Sequence, residues 1–138
     1  MRRASRVARP LVLITDDDRD SREMFAVYLN MNGYYVEVAK DGQEAVRKAR
    51  TLLPDVIVMD LEMPKLDGWG AMRELRSRPE TAAIPIIILT GHDLKDYLEH
   101  SAISEGAAAY LMKPLFPEQL AREINASLAA SKRFPKAL

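Results

Sequence analysis

Asp55-Val56-Ile57-Val58-Met59-Asp60 is the stretch of sequence that decides the fold. Its four central residues are all apolar, without the alternation of polar and apolar positions that marks a half-exposed strand. Two similar runs, Leu11–Ile14 and Ile86–Leu89, lie before and after it. Strands of this composition are buried on both faces, as in a parallel sheet covered by helices. The three runs therefore predict the centre of a parallel sheet.

Two further strands and five helical patterns complete an alternating order. Tyr34–Val38 is a more polar strand, expected near a sheet edge, and Ala108–Met112 is a short fifth strand. Helical spacing of apolar residues is found in Ser21–Met31, a segment beginning at Asp41, Gly68–Arg76, Leu94–Glu105 and a segment beginning at Pro117. Strand followed by helix, five times over, predicts an α/β fold with helices on both faces of the sheet.

The first helix shows the kind of apolar pattern on which the core prediction rests. One face of this helix carries four apolar residues at helical spacing, Met24, Val27, Tyr28 and Met31. Such a face is typically buried. Methionine is flexible and fills irregular gaps in cores, so we expect most of the seven methionines to lie in the core.

Length and composition exclude several classes of protein. A chain of 138 residues corresponds to one domain. Without cysteine it has neither a disulfide framework nor a catalytic thiol, which fits a reducing, cytoplasmic location. Lysine plus arginine and aspartate plus glutamate both total 20, so no bulk attraction to DNA or to an anionic membrane is expected. The longest apolar run, Ala82–Leu89, is interrupted by Pro85 and is too short to span a membrane.

Three segments are expected along the chain. Residues 1–9 hold four arginines and no acid, which is typical of a basic, disordered arm, and a weak contact with an anionic partner is the alternative. Residues 10–131 form the folded domain, and residues 132–138 form a short tail.

Polar residues follow four of the predicted strands at the point where each strand ends. Asp16 and Asp17 follow the first strand, Asp60 follows the third, Thr90 the fourth and Lys113 the fifth. The carboxyl ends of parallel strands meet at one edge of a sheet, where ligands bind. The pattern therefore predicts a site containing three carboxylates, a hydroxyl and an ammonium group.

These groups point to phosphoryl chemistry that depends on a divalent metal. Carboxylates held close together repel each other, and a divalent cation removes that penalty. Ligands that are all oxygen suit Mg²⁺, with Mn²⁺ as the alternative. The lysine and the hydroxyl suit phosphoryl oxygens, and a carboxylate can act as the nucleophile and become an aspartyl phosphate.

Four motifs resemble those of the receiver domain of two-component response regulators. They are Leu11–Asp18, Asp55–Gly68, Ile86–Gly91 and Ala109–Pro114, and each begins with or contains a predicted strand. The resemblance covers about residues 10–131. It implies a flavodoxin-like (βα)5 sandwich with a five-stranded parallel sheet of order 2-1-3-4-5.

The resemblance also implies a role for each site residue. Asp60 would be the phosphoacceptor, and Asp16, Asp17, Asp60 and the backbone carbonyl of Glu62 would bind Mg²⁺. Thr90, Lys113 and Tyr110 would bind the phosphoryl group or change conformation when it is present. Glu62 and His92 would tune the lifetime of the phosphoryl group. Lys113-Pro114 would be a cis peptide.

The implied function is a single-domain response regulator or phosphorelay receiver in the cytoplasm. It would accept a phosphoryl group from a sensor histidine kinase or a histidine phosphotransfer protein and would catalyse only its own phosphorylation and dephosphorylation. We define the output face as the helix predicted at Leu94–Glu105, the fifth strand and the last helix. A switch of this face would signal to an unknown downstream protein, without direct DNA binding or membrane insertion.

Three alternatives remain open at this stage. The first is a receiver module separated from a larger hybrid kinase. The second is a haloacid-dehalogenase-like phosphohydrolase, which would need Glu62 as general acid and a cap domain for which this length leaves no room. The third is a pseudo-receiver, which would be expected to lack one of the core residues. Ala107-Ala108-Ala109 stands where many dimerising DNA-binding regulators have an acidic pair, which favours a partner-binding role.

Other conspicuous residues have structural interpretations. Asp18 and Asp20 are expected to be charges at a helix start, and Asp67-Gly68 a turn and cap. Trp69 is expected to pack at the start of its helix.

Overall fold

The structure is a computed structural model that describes residues 9–61, 67–91 and 103–131. Within these residues lie five strands and four helices. The strands are β1 Leu11–Thr15, β2 Tyr35–Ala39, β3 Val56–Asp60, β4 Ile86–Thr90 and β5 Ala109–Met112, and the helices are α1 Arg19–Met31, α2 Gly42–Leu52, α3 Gly68–Arg76 and α4 Pro117–Ala130. Residues 94–102 of the predicted helix Leu94–Glu105 lie outside the described residues, and residues 103 and 104 are helical.

The five strands form one parallel sheet in the order β2-β1-β3-β4-β5. The predicted flavodoxin-like order is therefore confirmed. Every residue of β3 and of β4 is buried, as their uninterrupted apolar sequences predict. The more polar β2 lies at an edge, where its first residue is exposed.

The core is divided by the sheet into two clusters. Alternate residues of a strand point to opposite faces, so Leu13 and Ile57 join one cluster while Val12 and Val56 join the other. The first cluster packs against α2 and α3, and the second against α1 and α4. Burying one large aliphatic side chain contributes about 1.5–3 kcal/mol, so this two-sided burial holds the strand ends in place.

The predicted apolar face of α1 is confirmed only at Tyr28, which is half-buried against the second core cluster. The prediction is wrong for Met24, Val27 and Met31, which are 44%, 58% and 80% exposed. The fully buried residues of α1 are instead Phe25 and Leu29. Two apolar stripes run side by side along this helix. The stripe of Phe25 and Leu29 faces the sheet, and Tyr28 packs beside it.

The expectation that most methionines lie in the core is also wrong for the described residues. Two are buried, Met59 and Met72, and three are exposed, Met24, Met31 and Met112. Methionine is apolar but flexible, and its presence alone does not indicate on which side of an element it lies.

The expected helix-start roles are confirmed. The side chains of Asp18 and Asp67 cap α1 and α3, because they accept hydrogen bonds from the backbone N–H of Ser21 and Gly70. Asp20 lies in the first turn of α1. Trp69 is half-buried against the first core cluster, as predicted.

Arg9 is the last residue of the predicted arm, and it contacts the folded domain. Its guanidinium donates hydrogen bonds to the carbonyls of Asn30 and Tyr34 and lies 4.6 Å from the centre of the Tyr35 ring. Residues 1–8 and 132–138 lie outside the described residues. Among the helices that the structure describes, none has both the length and the apolar character needed to cross a bilayer.

Candidate functional site

The register of the sheet brings the predicted site residues to one edge. Thr15 pairs with Met59, so Asp16 and Asp60 follow directly beyond that pair on neighbouring strands. Thr90 pairs with Met112, and Lys113 is the next residue. The site is therefore assembled from the ends of β1, β3, β4 and β5, as the strand ends predict.

Three carboxylates form the acidic part of this site. One oxygen from each of Asp16, Asp17 and Asp60 lies within 4.8 Å of the others. Asp16 is fully buried and Asp60 is 5% exposed, whereas Asp17 is exposed to solvent. Two carboxylates thus lie in a region of low dielectric constant, where their charges interact strongly, and the third is open to solvent.

Lys113 joins the two buried carboxylates. Its Nζ lies 2.8 Å from Oδ2 of Asp16 and 3.1 Å from Oδ2 of Asp60, and its backbone N–H donates to the carbonyl of Thr90. Burial lowers the pKa of Lys113, but the hydrogen bonds and negative charges of Asp16 and Asp60 outweigh burial and raise the pKa overall. Lys113 therefore remains charged, and the Lys113-Pro114 peptide bond is cis.

The charge balance of this site fits a divalent cation. Three carboxylates face one ammonium group, which leaves two negative charges in excess. The ligand atoms are all carboxylate oxygens, which suit Mg²⁺ or Mn²⁺. Glu62, whose backbone carbonyl the resemblance adds to the ligands, and His92, the other expected pocket residue, both lie outside the described residues.

Arg22 supports the site and was missed by the sequence analysis. Its Nη1 donates a 2.8 Å hydrogen bond to the backbone carbonyl of Asp16, while the backbone N–H of Asp18 donates to Oδ1 of Asp16. Together with Lys113 these contacts fix the orientation of the Asp16 carboxylate. No motif marks Arg22, because an arginine on a polar helix face ordinarily belongs to the solvated surface.

Gly68 permits the close approach of α3 to the end of β3. A Cβ at this position would lie 2.3 Å from the backbone oxygen of Asp60 and 2.7 Å from Cα of Leu61. The Gly68 N–H donates to the carbonyl of Leu61 at 3.1 Å. From the sequence, Asp67-Gly68 was expected to be a turn and cap only. Its Asp-Gly pair at a helix start is a signal, but it does not reveal the contact with Asp60.

Thr90 lies at the end of β4, the strand next to Asp60, and Tyr110 lies on the edge strand β5. Thr90 ends β4 and is buried. Tyr110 in β5 pairs with Ile88, and its half-buried ring packs against the first core cluster. The structure thus brings together Asp16, Asp17, Asp60, Thr90 and Lys113, whereas Tyr110 lies on β5, which β4 separates from β3.

Comparison with known proteins identifies the family of this chain. Residues 12–125 match the response regulator receiver domain. The chain is 40% identical over 121 residues to the response regulator MprA of Mycobacterium leprae, covering 88% of this chain and 52% of that protein. It is 36% identical over 129 residues to the DNA-binding dual master transcriptional regulator RpaA of Synechocystis, covering 93% of this chain and 53% of that protein. The chain thus spans about half the length of these curated relatives.

Solved structures match over nearly their whole length. The chemotaxis protein CheY4 of Vibrio cholerae superposes with a TM-score of 0.81 at 32% identity, covering 87% of this chain and 99% of that one. The Francisella response regulator 1452 receiver domain superposes with a TM-score of 0.78 at 33% identity, covering 85% and 94% of the two chains.

Proposed function

Since the chain belongs to the response regulator receiver domain family, we propose that it accepts a phosphoryl group on Asp60 from a phosphohistidine donor. The donor would be a sensor histidine kinase or a histidine phosphotransfer protein. The observation that carries this proposal is the position of Asp60 at the end of β3, with Asp16 and Asp17 beside it and Lys113 Nζ at 3.1 Å.

The chemical step needs little more than positioning and charge. A carboxylate oxygen of Asp60 attacks phosphorus, a P–O bond forms, and the P–N bond to the donor imidazole breaks. The imidazole leaves with the bonding electron pair and takes up a proton. Lys113 then pairs with a phosphoryl oxygen in place of the Asp60 carboxylate. The Thr90 hydroxyl donates a hydrogen bond to a second phosphoryl oxygen.

Asp16, Asp17 and Asp60 would hold the metal ion, together with the backbone carbonyl of Glu62. When bound, Mg²⁺ supplies positive charge that offsets both the carboxylates and the phosphoryl oxygens. The two excess negative charges of the site support this role. The domain is a signalling module, and the only reactions proposed for it are its own phosphorylation and dephosphorylation.

The output would be a shift between two states of the output face. Thr90 and Lys113 gain contacts only with the phosphorylated form, so phosphorylation favours whichever state allows those contacts. Inward movement of Thr90 leaves space that the Tyr110 ring can fill. A coupling of about 1–3 kcal/mol corresponds to a change of roughly 5–150-fold in the affinity for a downstream protein.

The exposed stripe of α1 supports a protein donor. The helix begins at Arg19, close behind Asp16 and Asp17, and Met24, Val27 and Met31 are exposed beside Pro117 at the start of α4. A macromolecule that delivers a phosphohistidine to Asp60 would contact these neighbouring surfaces. Val27→Asp should slow transfer from a protein donor and leave labelling by acetyl phosphate unchanged. Equal slowing with both donors would contradict a docking role.

Labelling by acetyl phosphate with Mg²⁺ tests the function. Wild type should acquire a phosphoryl group with the acid and base lability of an acyl phosphate, and EDTA should prevent labelling. Asp60→Asn should remain unlabelled, while the matched control Asp67→Asn should be labelled like wild type, because Asp67 caps α3. Labelling of Asp60→Asn at the wild-type rate would refute the proposal.

The partner of the output face is proposed to be a protein rather than DNA. RpaA is named as a DNA-binding regulator, and this chain matches 53% of its length. The formal net charge of zero gives this chain no bulk attraction to DNA. Filter binding to random duplex DNA, with and without acetyl phosphate, would measure any such affinity.

A further inference from the structure

The loop between β1 and α1, residues Asp16–Asp18, carries two of the three carboxylates of the strand-end site. Asp16 is fully buried, whereas Asp17 is exposed to solvent. Packing therefore holds Asp16 in place but contributes little to the position of Asp17. The position of Asp17 depends instead on how firmly the backbone is held on either side of it.

Every polar atom of Asp16 has a hydrogen-bond partner. Its backbone N–H donates to the carbonyl of Ala39 at 3.1 Å, and its backbone carbonyl accepts from Nη1 of Arg22 at 2.8 Å. Its Oδ1 accepts from the backbone N–H of Asp18 at 2.9 Å, and its Oδ2 lies 2.8 Å from Nζ of Lys113. The start of the loop is therefore fixed by contacts of both its backbone and its side chain.

Arg22, the fourth residue of α1, contacts both ends of this loop. Its side chain donates to the carbonyl of Asp16, and its backbone N–H donates to the carbonyl of Asp18 at 3.0 Å. The bond to Asp18 is the first hydrogen bond of the helix, and any residue other than proline can make it. The bond to Asp16 depends on the arginine side chain. It ties the end of β1 to the first turn of α1, with Asp17 between them.

We propose that Arg22 is a positioning residue, which holds Asp17 in the geometry that Mg²⁺ requires and thereby favours Mg²⁺ over Ca²⁺. The inference rests on the proposed role of Asp16, Asp17 and Asp60 in binding the metal. Mg²⁺ demands nearly ideal octahedral geometry at about 2.0–2.1 Å, whereas Ca²⁺ accepts flexible arrangements of oxygens at about 2.3–2.6 Å. A loop that moves more freely therefore weakens the binding of Mg²⁺ more than the binding of Ca²⁺.

The charge of Arg22 acts in the opposite direction, and it acts similarly on the two ions. A guanidinium group close to the site repels any divalent cation, so the removal of its charge alone would tighten the binding of both ions to a similar extent. Positioning instead predicts weaker binding of Mg²⁺ and a change in the ratio of the two affinities. Measurements with both ions therefore separate the two effects.

Titration calorimetry of Arg22→Met with each ion tests the inference. Methionine removes the N–H donors and the charge. The Kd for Mg²⁺ should rise about tenfold, the lower end of the loss typical when a group that orients a metal ligand is removed, and the Kd for Ca²⁺ should rise by a smaller factor. Arg19→Met is the matched control, because Arg19 lies in the same helix and pairs with Glu23 at the surface. Both of its Kd values should stay close to those of wild type.

Amide hydrogen exchange in the absence of metal tests the cause. The N–H of Asp18 donates to Asp16, so it should exchange faster in Arg22→Met than in wild type or Arg19→Met. If Arg22→Met fails to fold, Arg22→Lys replaces it. Lysine keeps the charge and a donor but lacks the planar fork of arginine, so the same changes are expected to a smaller extent.

The possible failures of this inference and of the proposed function can be told apart. Wild type that binds no Mg²⁺ would overturn both. If wild type binds Mg²⁺ and Arg22→Met binds it equally well or more tightly, this inference alone is overturned. Equal weakening for Mg²⁺ and Ca²⁺, or unchanged exchange of the Asp18 amide, would also overturn it, because neither result fits a loop that Arg22 holds.

Discussion

The aspartates at the strand ends and those at the helix starts are the same residue type with different partners. The first group is Asp16 and Asp60, and the second is Asp18, Asp41 and Asp67. The strand-end pair is buried and shares a single lysine, so its negative charge is incompletely balanced. Each helix-start aspartate instead accepts a backbone N–H of its own helix, at 2.8–3.0 Å.

The difference in partners indicates that the strand-end aspartates serve function and the helix-start aspartates serve stability. A helix start supplies hydrogen bonds and a favourable dipole to the carboxylate beside it, so that carboxylate needs no further ligand. The strand ends gather carboxylates from separate strands without balancing their charge. Changes at the strand ends should therefore alter metal binding and phosphorylation, whereas changes at the helix starts should alter only stability.

The largest effect is expected from Lys113→Met, which leaves two buried carboxylates without their cation. Breaking a buried ion pair costs about 3–5 kcal/mol, and Mg²⁺ should restore part of this loss. Urea unfolding with and without Mg²⁺ measures both quantities. Arg19→Met is the control, because the side chains of Arg19 and its partner Glu23 are both mostly exposed, and an exposed pair contributes about 1 kcal/mol or less.

The same ion pair should weaken at high pH. Because the pKa of Lys113 is raised in the folded state, its contribution is complete below the ordinary lysine pKa of 10.5 and is lost as the pH rises through the raised pKa. The difference in unfolding free energy between wild type and Lys113→Met should therefore shrink only in strongly alkaline buffer. A difference that already vanishes at neutral pH would contradict this assignment.

Asp17→Asn should reduce Mg²⁺ affinity about 10–100-fold, the loss typical when a group that supports a metal site is removed. Stability without metal should stay the same or rise, because repulsion among the carboxylates falls. Titration calorimetry gives the affinity. Asp20→Asn, in the first turn of α1, is the control and should retain wild-type affinity. Unchanged affinity in Asp17→Asn would remove Asp17 from the metal site.

A smaller effect is expected from Asp67→Ala, which deletes the cap of α3. The loss of an N-cap costs about 1 kcal/mol of unfolding free energy. Thermal unfolding measures this cost, and calorimetry should find Mg²⁺ affinity close to that of wild type. A loss of Mg²⁺ affinity comparable to that of Asp17→Asn would contradict the claim that helix-start aspartates affect only stability.

The smallest effect concerns the titration of Asp18. Hydrogen bonds from the side chain and backbone of Ser21 lower the pKa of this carboxyl below its ordinary value of 3.8. Its contribution is therefore present above that value and is lost as the pH falls through the lowered pKa. NMR titration of the carboxyl carbon should give a pKa below 3.8 in wild type and a higher one in Ser21→Pro. An identical pKa in both proteins would contradict the cause given.

The parallel sheet and the strand-end residues could be predicted because they depend on strong local patterns, whereas the strand order followed from the resemblance to receiver domains. Fully apolar runs indicate buried parallel strands, and parallel strands place their carboxyl ends together. Asp60 and Lys113 are 53 residues apart in sequence, yet each is identified by the strand that it follows.

The rest depends on contacts that no local pattern specifies. The stripes of α1 are both apolar, and only packing against the sheet decides that Phe25 and Leu29 are buried and Met31 exposed. Arg22 and Gly68 contact the site through backbone atoms of Asp16 and Asp60. Backbone partners leave no complementary residue in the sequence that could signal the contact.

The central claim is that the strand-end carboxylates and Lys113 together receive the phosphoryl group. A crystal structure of the protein with Mg²⁺ and beryllofluoride tests it most directly. The account predicts beryllium bonded to a carboxylate oxygen of Asp60, with Lys113 Nζ and the Thr90 hydroxyl hydrogen-bonded to fluorine. Beryllofluoride on Asp16, on Asp17 or on a helix-start aspartate, or its absence from the strand ends in the presence of Mg²⁺, would contradict the account.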